Sequence, residues 1–567
     1  MQSQHLNYTS IFNIIILCLL IFTSILDNVA LGHDYINYGQ NGIFISTAII
    51  LFKGNIKIRI PFNIIALSIV LLIWCCIANI TNNVHYGSGI IYPFCLFIIF
   101  IFATSSNIKY KTFATFCSIL SILVLLIQIF TNKYSNYNLG NVAIQIIALI
   151  SSMMLLLLYW QHNKVKSIIY GSIALTNLIL IIISTSKAAL LSVIIVSVLF
   201  LYTNRRNVLC KTIYPFLIIF IVLFSIIFIY QLLIDTNSLK GRLLIYYTSF
   251  EVFKSSPILG HGIDGFFREY MMFQQQVLDS QEWSNYCYIA DNSYRTFNIV
   301  LSIAIKYGLI AVLLFAGIFF IILKKAYSFR FKYRGFLFYI IIALFTLSLF
   351  SYPFEYKHIL ILFIFTIGIC FKNHKSIKNF YWQPPRLRNS INKILSIVII
   401  LFSLHNLYYE IMWYKSQTNI DKDGIASYHK IYDNIYYNHN FLYNYAAELN
   451  YTENYSESNK VLDKLSWFIN DYNTEILLGD NFYNLGEYQT AEHHFKTANK
   501  MVPNRFMPLL GLLNIYSQTS ISKADSISHT IIEKKVKVKS KDVTRIKKLA
   551  KRWLANRILY DDLSIIN

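Results

Sequence analysis

Apolar runs recur along the chain from Ile11 to Ile411, separated by short polar connections. Crossing the hydrocarbon core of a bilayer takes about 20 apolar residues per helix. Lipid offers the backbone no hydrogen-bond partner, so each such run has to be helical. About thirteen runs meet this length, centred near residues 20, 45, 70, 97, 122, 150, 176, 195, 223, 310, 343, 363 and 402. The run near 45 is short, and only a few residues separate those near 176 and 195. The pattern predicts an all-α polytopic membrane helix bundle of about 12–13 spans. The first run lacks a basic n-region and a small-residue cleavage site, so it reads as the first span.

After about Trp413 the apolar runs stop, and polar, Asn-rich and Tyr-rich sequence with helical periodicity predicts a soluble domain. Within it, LGDNFYNLGEYQTAEHHFKTANKMVP fits a tetratricopeptide-like helical hairpin. Gly479, Phe482, Gly486, Tyr488, Ala491, Phe495, Ala498 and Pro503 take the small, aromatic and helix-ending positions. Tyr455 and Ser458 lie 33 residues before Tyr488 and Ala491, and Ala524 lies 33 after Ala491, which suggests weaker flanking copies. Such repeats build binding or scaffolding surfaces rather than reaction centres.

Composition narrows the class. The 567 residues are 56% hydrophobic and 14% charged, too apolar for a string of soluble domains. A net charge of +22 would suggest nucleic acid in a soluble protein, but its placement argues otherwise. Basic residues gather in every second connection: Lys53, Lys57 and Arg59; Lys109 and Lys111; Lys164 and Lys166; Arg205, Arg206 and Lys211; five from Lys324 to Arg334; six from Lys372 to Lys393. By the positive-inside rule these connections are cytoplasmic, with the N-terminus inside and the C-terminus outside. The expected division is membrane helices 1–9 over residues 1–234, a large outer loop over 235–296, membrane helices 10–13 over 297–412, and the tetratricopeptide-like domain over 413–567. The charge is a topology signal, and no nucleic-acid partner is expected. The basic tail from Glu533 to Arg552 suits either lipid headgroups or a solvated helix face. Six of the eight cysteines lie in apolar spans, leaving no disulfide framework or metal-ligand spacing.

Candidate chemistry lies in the expected outer segments. Lys187 sits in the short turn STSKAALL, where a lysine either snorkels or faces an aqueous cavity. Arg242 opens LKGRLLIYYTSFEVFKSSPILGHGIDGFF, with Gly260, Gly262 and Arg268 following. An arginine fork suits a diphosphate through parallel charge-assisted hydrogen bonds, although anchoring to headgroups is the plainer reading. Asp291, Asn292, Arg295 and Asn298 crowd the start of the tenth span, where helix capping is the alternative.

In layout and motifs the chain resembles the O-antigen ligase and O-antigen polymerase superfamily, including its branch with a C-terminal tetratricopeptide domain. The family's Ser-Arg-Gly or Ser-Arg-Ala turn appears as Ser186-Lys187-Ala188, with lysine for arginine. Its loop arginine and Pro-x-x-Gly-x-Gly turn match Arg242, Pro257, Gly260 and Gly262. Its His-Asn followed by glycine matches Asn298 and Gly308, but Phe297 replaces the histidine. The resemblance implies a bacterial inner-membrane enzyme whose C-terminal domain is periplasmic. It would transfer a glycan from undecaprenyl diphosphate, without a cofactor, to another glycan, a lipid A core or a protein hydroxyl. Arg242 and Lys187 would stabilise the leaving diphosphate and Asp291 would accept the acceptor's proton. Gly260, Gly262, Arg268, Asn292, Arg295 and Asn298 would line the substrate site, and the repeat domain could hold a protein partner. A glycolipid transporter and a non-catalytic membrane scaffold are the readings from other classes.

Overall fold

The computed structural model describes residues 2–29, 36–53, 60–82, 88–106, 108–130, 139–160, 162–204, 208–234, 236–328, 335–372, 385–418 and 423–564. Among these residues all regular structure is helical. Nine helices come first: α1 (Gln2–Val29), α2 (Tyr38–Lys53), α3 (Phe62–Thr81), α4 (Ser88–Ser105), α5 (Tyr110–Phe130), α6 (Leu139–Tyr159), α7 (Lys164–Ile183), α8 (Lys187–Asn204) and α9 (Val208–Ile234). The large loop folds as α10 (Thr236–Ser255) and α11 (Gly265–Leu278). The bundle closes with α12 (Ile299–Tyr327), α13 (Gly335–Phe350), α14 (Lys357–Phe371) and α15 (Pro385–Thr418). Each of the thirteen expected span centres falls inside one of these bundle helices. Among the described residues eight helices are long and apolar enough to cross a bilayer, and four shorter apolar ones join them. The chain is a multi-pass membrane protein. Of the connections behind the topology reading, Lys57, Arg59, Arg205, Arg206 and segments 329–334 and 373–384 lie outside the described residues.

The bundle is packed with Ile, Leu and Phe, such as Leu17, Phe44, Phe113, Ile340 and Phe365, while the lipid-facing sides of α3, α7 and α9 leave Ile69, Ile168 and Ile226 exposed. Charges occur at its edge as well as in the loops. Lys357 donates to Asp27 Oδ2 at 2.7 Å and to Asn37, while Glu410 Oε2 accepts from Asn37 N at 3.1 Å and Asn41 Nδ2 at 3.0 Å. This network ties α1, α2, α14 and α15 together, and its pairing offsets the desolvation that a lone charge there would suffer.

The C-terminal part begins inside α15, which runs on past residue 413 so that Trp413 is buried against Phe441. Then come α16 (Asp423–Ile435), α17 (His439–Tyr451), α18 (Tyr455–Leu465), α19 (Tyr472–Asn484), α20 (Tyr488–Met501), α21 (Met507–Thr519), α22 (Ile521–Glu533) and α23 (Lys541–Ser564). The starts at His439, Tyr472 and Met507 recur at intervals of 33 and 35 residues, and each helix packs on the next. Gly479 allows close approach: a Cβ there would meet the Phe495 ring at 2.8 Å. Ala491, Phe495 and Ala498 are buried on α20, which packs on α19.

Candidate active site

The glycine turn and the tenth bundle helix form one unit. Gly260 and Gly262 have φ of 71° and 79°. They let the chain after α10 turn back so that His261 N donates to Ile305 O at 2.8 Å and Gly262 N to Lys306 O at 2.9 Å. Those carbonyls are available because α12 breaks at Gly308, whose φ of 72° and ψ of −176° no side-chain-bearing residue tolerates readily. Leu309 N completes the clasp by donating to Pro257 O at 2.8 Å. A Cβ on Gly308 would stand 1.8 Å from Ile258 O, and one on Gly260 would stand 2.6 Å from Tyr307 N. From α3 and its C-cap, Trp74 Nε1 donates to Tyr307 O at 2.8 Å and Asn82 Nδ2 to Gly260 O at 3.2 Å, while Asn79 Oδ1 accepts from Ile263 N at 3.0 Å. These glycines build the scaffold through their missing side chains.

Arg242, on α10, reaches across to α13, where Nη1 donates to Phe350 O at 2.5 Å. Its guanidinium lies 5.4 Å from the centre of the Phe297 ring. Tyr246, one turn on, donates to Phe297 O at 3.3 Å and so fixes a residue whose φ is 52°. Phe297 meets Tyr352 edge to face, and Arg295 lies 4.1 Å over that same tyrosine ring. Arg295 Nε donates to Glu355 Oε2 at 2.5 Å. Both partners are about half exposed, at 44% and 50% of their side-chain surface.

Glu355 lies in the short 3-10 turn Pro353–Glu355 between α13 and α14. Although half its surface meets solvent, the protein around it desolvates the carboxylate and pushes its pKa up, against the opposing charges of Arg295 and Lys306. Lys306 of α12 thus belongs to the same electrostatic group. Sequence reasoning missed both. The available signals were a single carboxylate in the polar turn SYPFEYK and a lysine two residues before the helix break at Gly308.

Lys187 is half-buried at the first position of α8, after Thr185 with φ of 51°. Ser192 donates to Ala343 O at 3.0 Å and Thr203 contacts Tyr339 at 2.6 Å, so α8 runs antiparallel to α13. Lys187 therefore shares an end of the bundle with Phe350, the carbonyl that Arg242 holds.

The other expected residues have local or interdomain partners. Arg268 pairs with Glu269 at 2.8 Å and donates to His261 O at 3.1 Å, bracing the glycine turn. Asn298 caps α12, its Oδ1 accepting from Val300 N at 2.9 Å and Leu301 N at 3.2 Å. Asn292 donates to Asp471 Oδ2 at 2.8 Å. Asp291 contacts the C-terminal domain, at 2.8 Å from Arg505 and 3.5 Å from Lys537. Partial burial raises its pKa, but the Arg505 hydrogen bond and the charges of Arg505 and Lys537 outweigh that and hold it below the usual aspartate range. That placement ties Asp291 to the C-terminal helices, and a carboxylate held down by two cations is a weak base.

Among the described residues no three His, Cys, Asp or Glu side chains converge as a metal-holding group. The arrangement is instead a cluster of cations flanked by aromatic rings, with one carboxylate of raised pKa.

No curated protein and no solved structure matches the chain. Residues 172–316, from α7 into α12, match the family model described as O-Antigen ligase, a segment that holds Lys187, Arg242, the glycine turn and Gly308 but not Glu355. This match supports a place for the chain in the O-antigen ligase superfamily, whose members are glycan-transferring membrane enzymes.

Proposed function

We propose that the protein transfers a glycan from undecaprenyl diphosphate to an acceptor hydroxyl at the periplasmic face of a bacterial inner membrane. The observation that carries this reading is the gathering of Arg242, Arg295 and Glu355 around Phe297 and Tyr352, at the bundle end that Lys187 shares. A lipid diphosphate leaves as an anion, so preorganised cations lower the barrier where that charge develops. Arg242 commits one N–H to Phe350 O, and its fork has four further donors for phosphate oxygens. Lys187, at the same end of the bundle, would add a point charge.

In the step envisaged, the acceptor oxygen attacks the anomeric carbon and the bond from that carbon to the diphosphate oxygen breaks. The electron pair leaves with the polyprenyl diphosphate. The acceptor's proton goes to Glu355, whose raised pKa suits it better than Asp291 for this task. That role falls to Glu355 because Phe297 stands where the resemblance expects a histidine. Arg295 orients the carboxylate.

The test is a deletion strain read by its glycan ladder. Loss of all polymer on the acceptor identifies a ligase, while a single repeat remaining on it identifies a polymerase. An unchanged ladder, together with unchanged protein glycosylation, contradicts glycan transfer.

A further inference from the structure

The C-terminal domain is joined to the large loop by a buried seam. Val252, Phe266, Tyr270 and Met271 pack on Met501 and Val502, and Gln274 Nε2 donates to Met501 O at 2.8 Å. Asn504 donates to Ala290 O. Beyond this seam, three turns that follow successive helix pairs each offer a charged side chain to the segment from Asp291 to Tyr294. Asp471, before α19, accepts from Asn292 and from Tyr294 at 2.8 Å each. Arg505, between α20 and α21, and Lys537, between α22 and α23, hold Asp291. The loop thus lies along one edge of the helical stack, and its anchors recur with the repeat.

The same strap then enters the cation cluster. Arg295 pairs with Glu355, Phe297 lies against Arg242, and Asn298 caps α12. Asp291 and Arg295 are four residues apart, so even fully extended chain separates them by no more than about 14 Å. The anchors and the residues of the cluster are therefore held on one short strap.

We infer that the C-terminal domain is an intramolecular clamp that sets the site's geometry, with Asp471, Arg505 and Lys537 as its positioning residues. The domain acts on its own chain through its turn edge, whatever else its helices bind. This inference rests on the glycan-transfer reading of the cluster. Each exposed ion pair contributes little alone. The clamp's effect comes from several anchors on one short strap.

The experiment uses full-length protein in liposomes with a polyprenyl-diphosphate glycan as donor. Reversing both cations (Arg505→Glu with Lys537→Glu) raises the donor KM about fivefold or more and removes amide-exchange protection at Ala290 and Asn298, whose amides donate to Tyr286 O and Thr296 Oγ1. Adding Asp291→Arg restores both readouts, and Arg505→Lys alone stays near wild type. Asp471→Asn is the milder variant and gives a smaller rise in KM. Undiminished protection in the reversed protein overturns the clamp, as does lost protection with wild-type KM and kcat. Wild-type kinetics from Arg242→Ala would sink the site reading instead, whereas wild-type kinetics from the reversed protein beside an inactive Arg242→Ala would sink the clamp alone.

Discussion

Substituting Gly308 probes the scaffold most sharply, because a single methyl group acts there in two ways. Its φ of 72° and ψ of −176° fall in a region that only glycine occupies readily, so Gly308→Ala costs about 1–3 kcal/mol in backbone strain. Its Cβ would also stand 1.8 Å from Ile258 O, so the glycine turn has to move. That movement breaks the bonds from His261 N, Gly262 N and Leu309 N, each worth about 1 kcal/mol net. The combined loss of about 4–6 kcal/mol is comparable with the whole stability of many domains. Gly241→Ala is the control: beyond its own stretch of helix no described atom lies within 4 Å of its Cβ, and alanine favours the helix there by about 1 kcal/mol. Thermal unfolding in detergent and complementation at matched protein level provide the readouts. We expect Gly308→Ala to unfold at markedly lower temperature and to yield no product, with Gly241→Ala unchanged or slightly stabilised. A Gly308→Ala protein with wild-type melting and a wild-type ladder would refute the clasp.

Three other predictions concern charge and topology. Arg242→Lys keeps the charge but loses the fork and should cut transfer about a hundredfold, whereas Lys187→Arg should be tolerated and Lys187→Ala should not; complementation at matched expression decides. Glu355 has to be ionised to accept a proton, so transfer should fall with decreasing pH at values above the ordinary glutamate pKa of about 4.3, and Glu355→Gln should lose both the rate and that acid limb. A wild-type pH profile from Glu355→Gln removes it as the base. With Cys287 replaced by serine, exposed Ser284→Cys and Ser522→Cys should react with an impermeant maleimide in intact spheroplasts, and protection of both would reverse the topology.

What the sequence revealed, and what it hid, follows from the range of the forces involved. Span positions were legible because lipid imposes a local rule on every window of about 20 residues. The glycine turn was legible as well, since Gly260, Gly262 and Gly308 are required by backbone geometry that few other residues permit. Their purpose was not, because the clasp joins residues about fifty positions apart. Asn298 illustrates the same limit: the sequence left substrate binding and helix capping both open, and its described contacts are those of a cap. Glu355 was hidden because its pKa depends on Arg295 and on desolvation by neighbouring chain segments, and no motif records that. Asp291 was offered as a stand-in for the histidine that Phe297 replaces, and its ion pairs with Arg505 and Lys537, more than two hundred residues away, leave no mark in the surrounding sequence. The boundary at residue 413 marked the end of apolar sequence, whereas α15 continues to Thr418.

The most direct test of the central claim is release of polyprenyl diphosphate from a synthetic polyprenyl-diphosphate glycan by purified protein in liposomes. Wild type should couple that release to glycosylation of an added acceptor. Arg242→Ala and Glu355→Gln, folded to the same melting temperature, should each slow release by about a hundredfold or more. Release from both variants at the wild-type rate would contradict the assignment of this cluster as the site of glycan transfer.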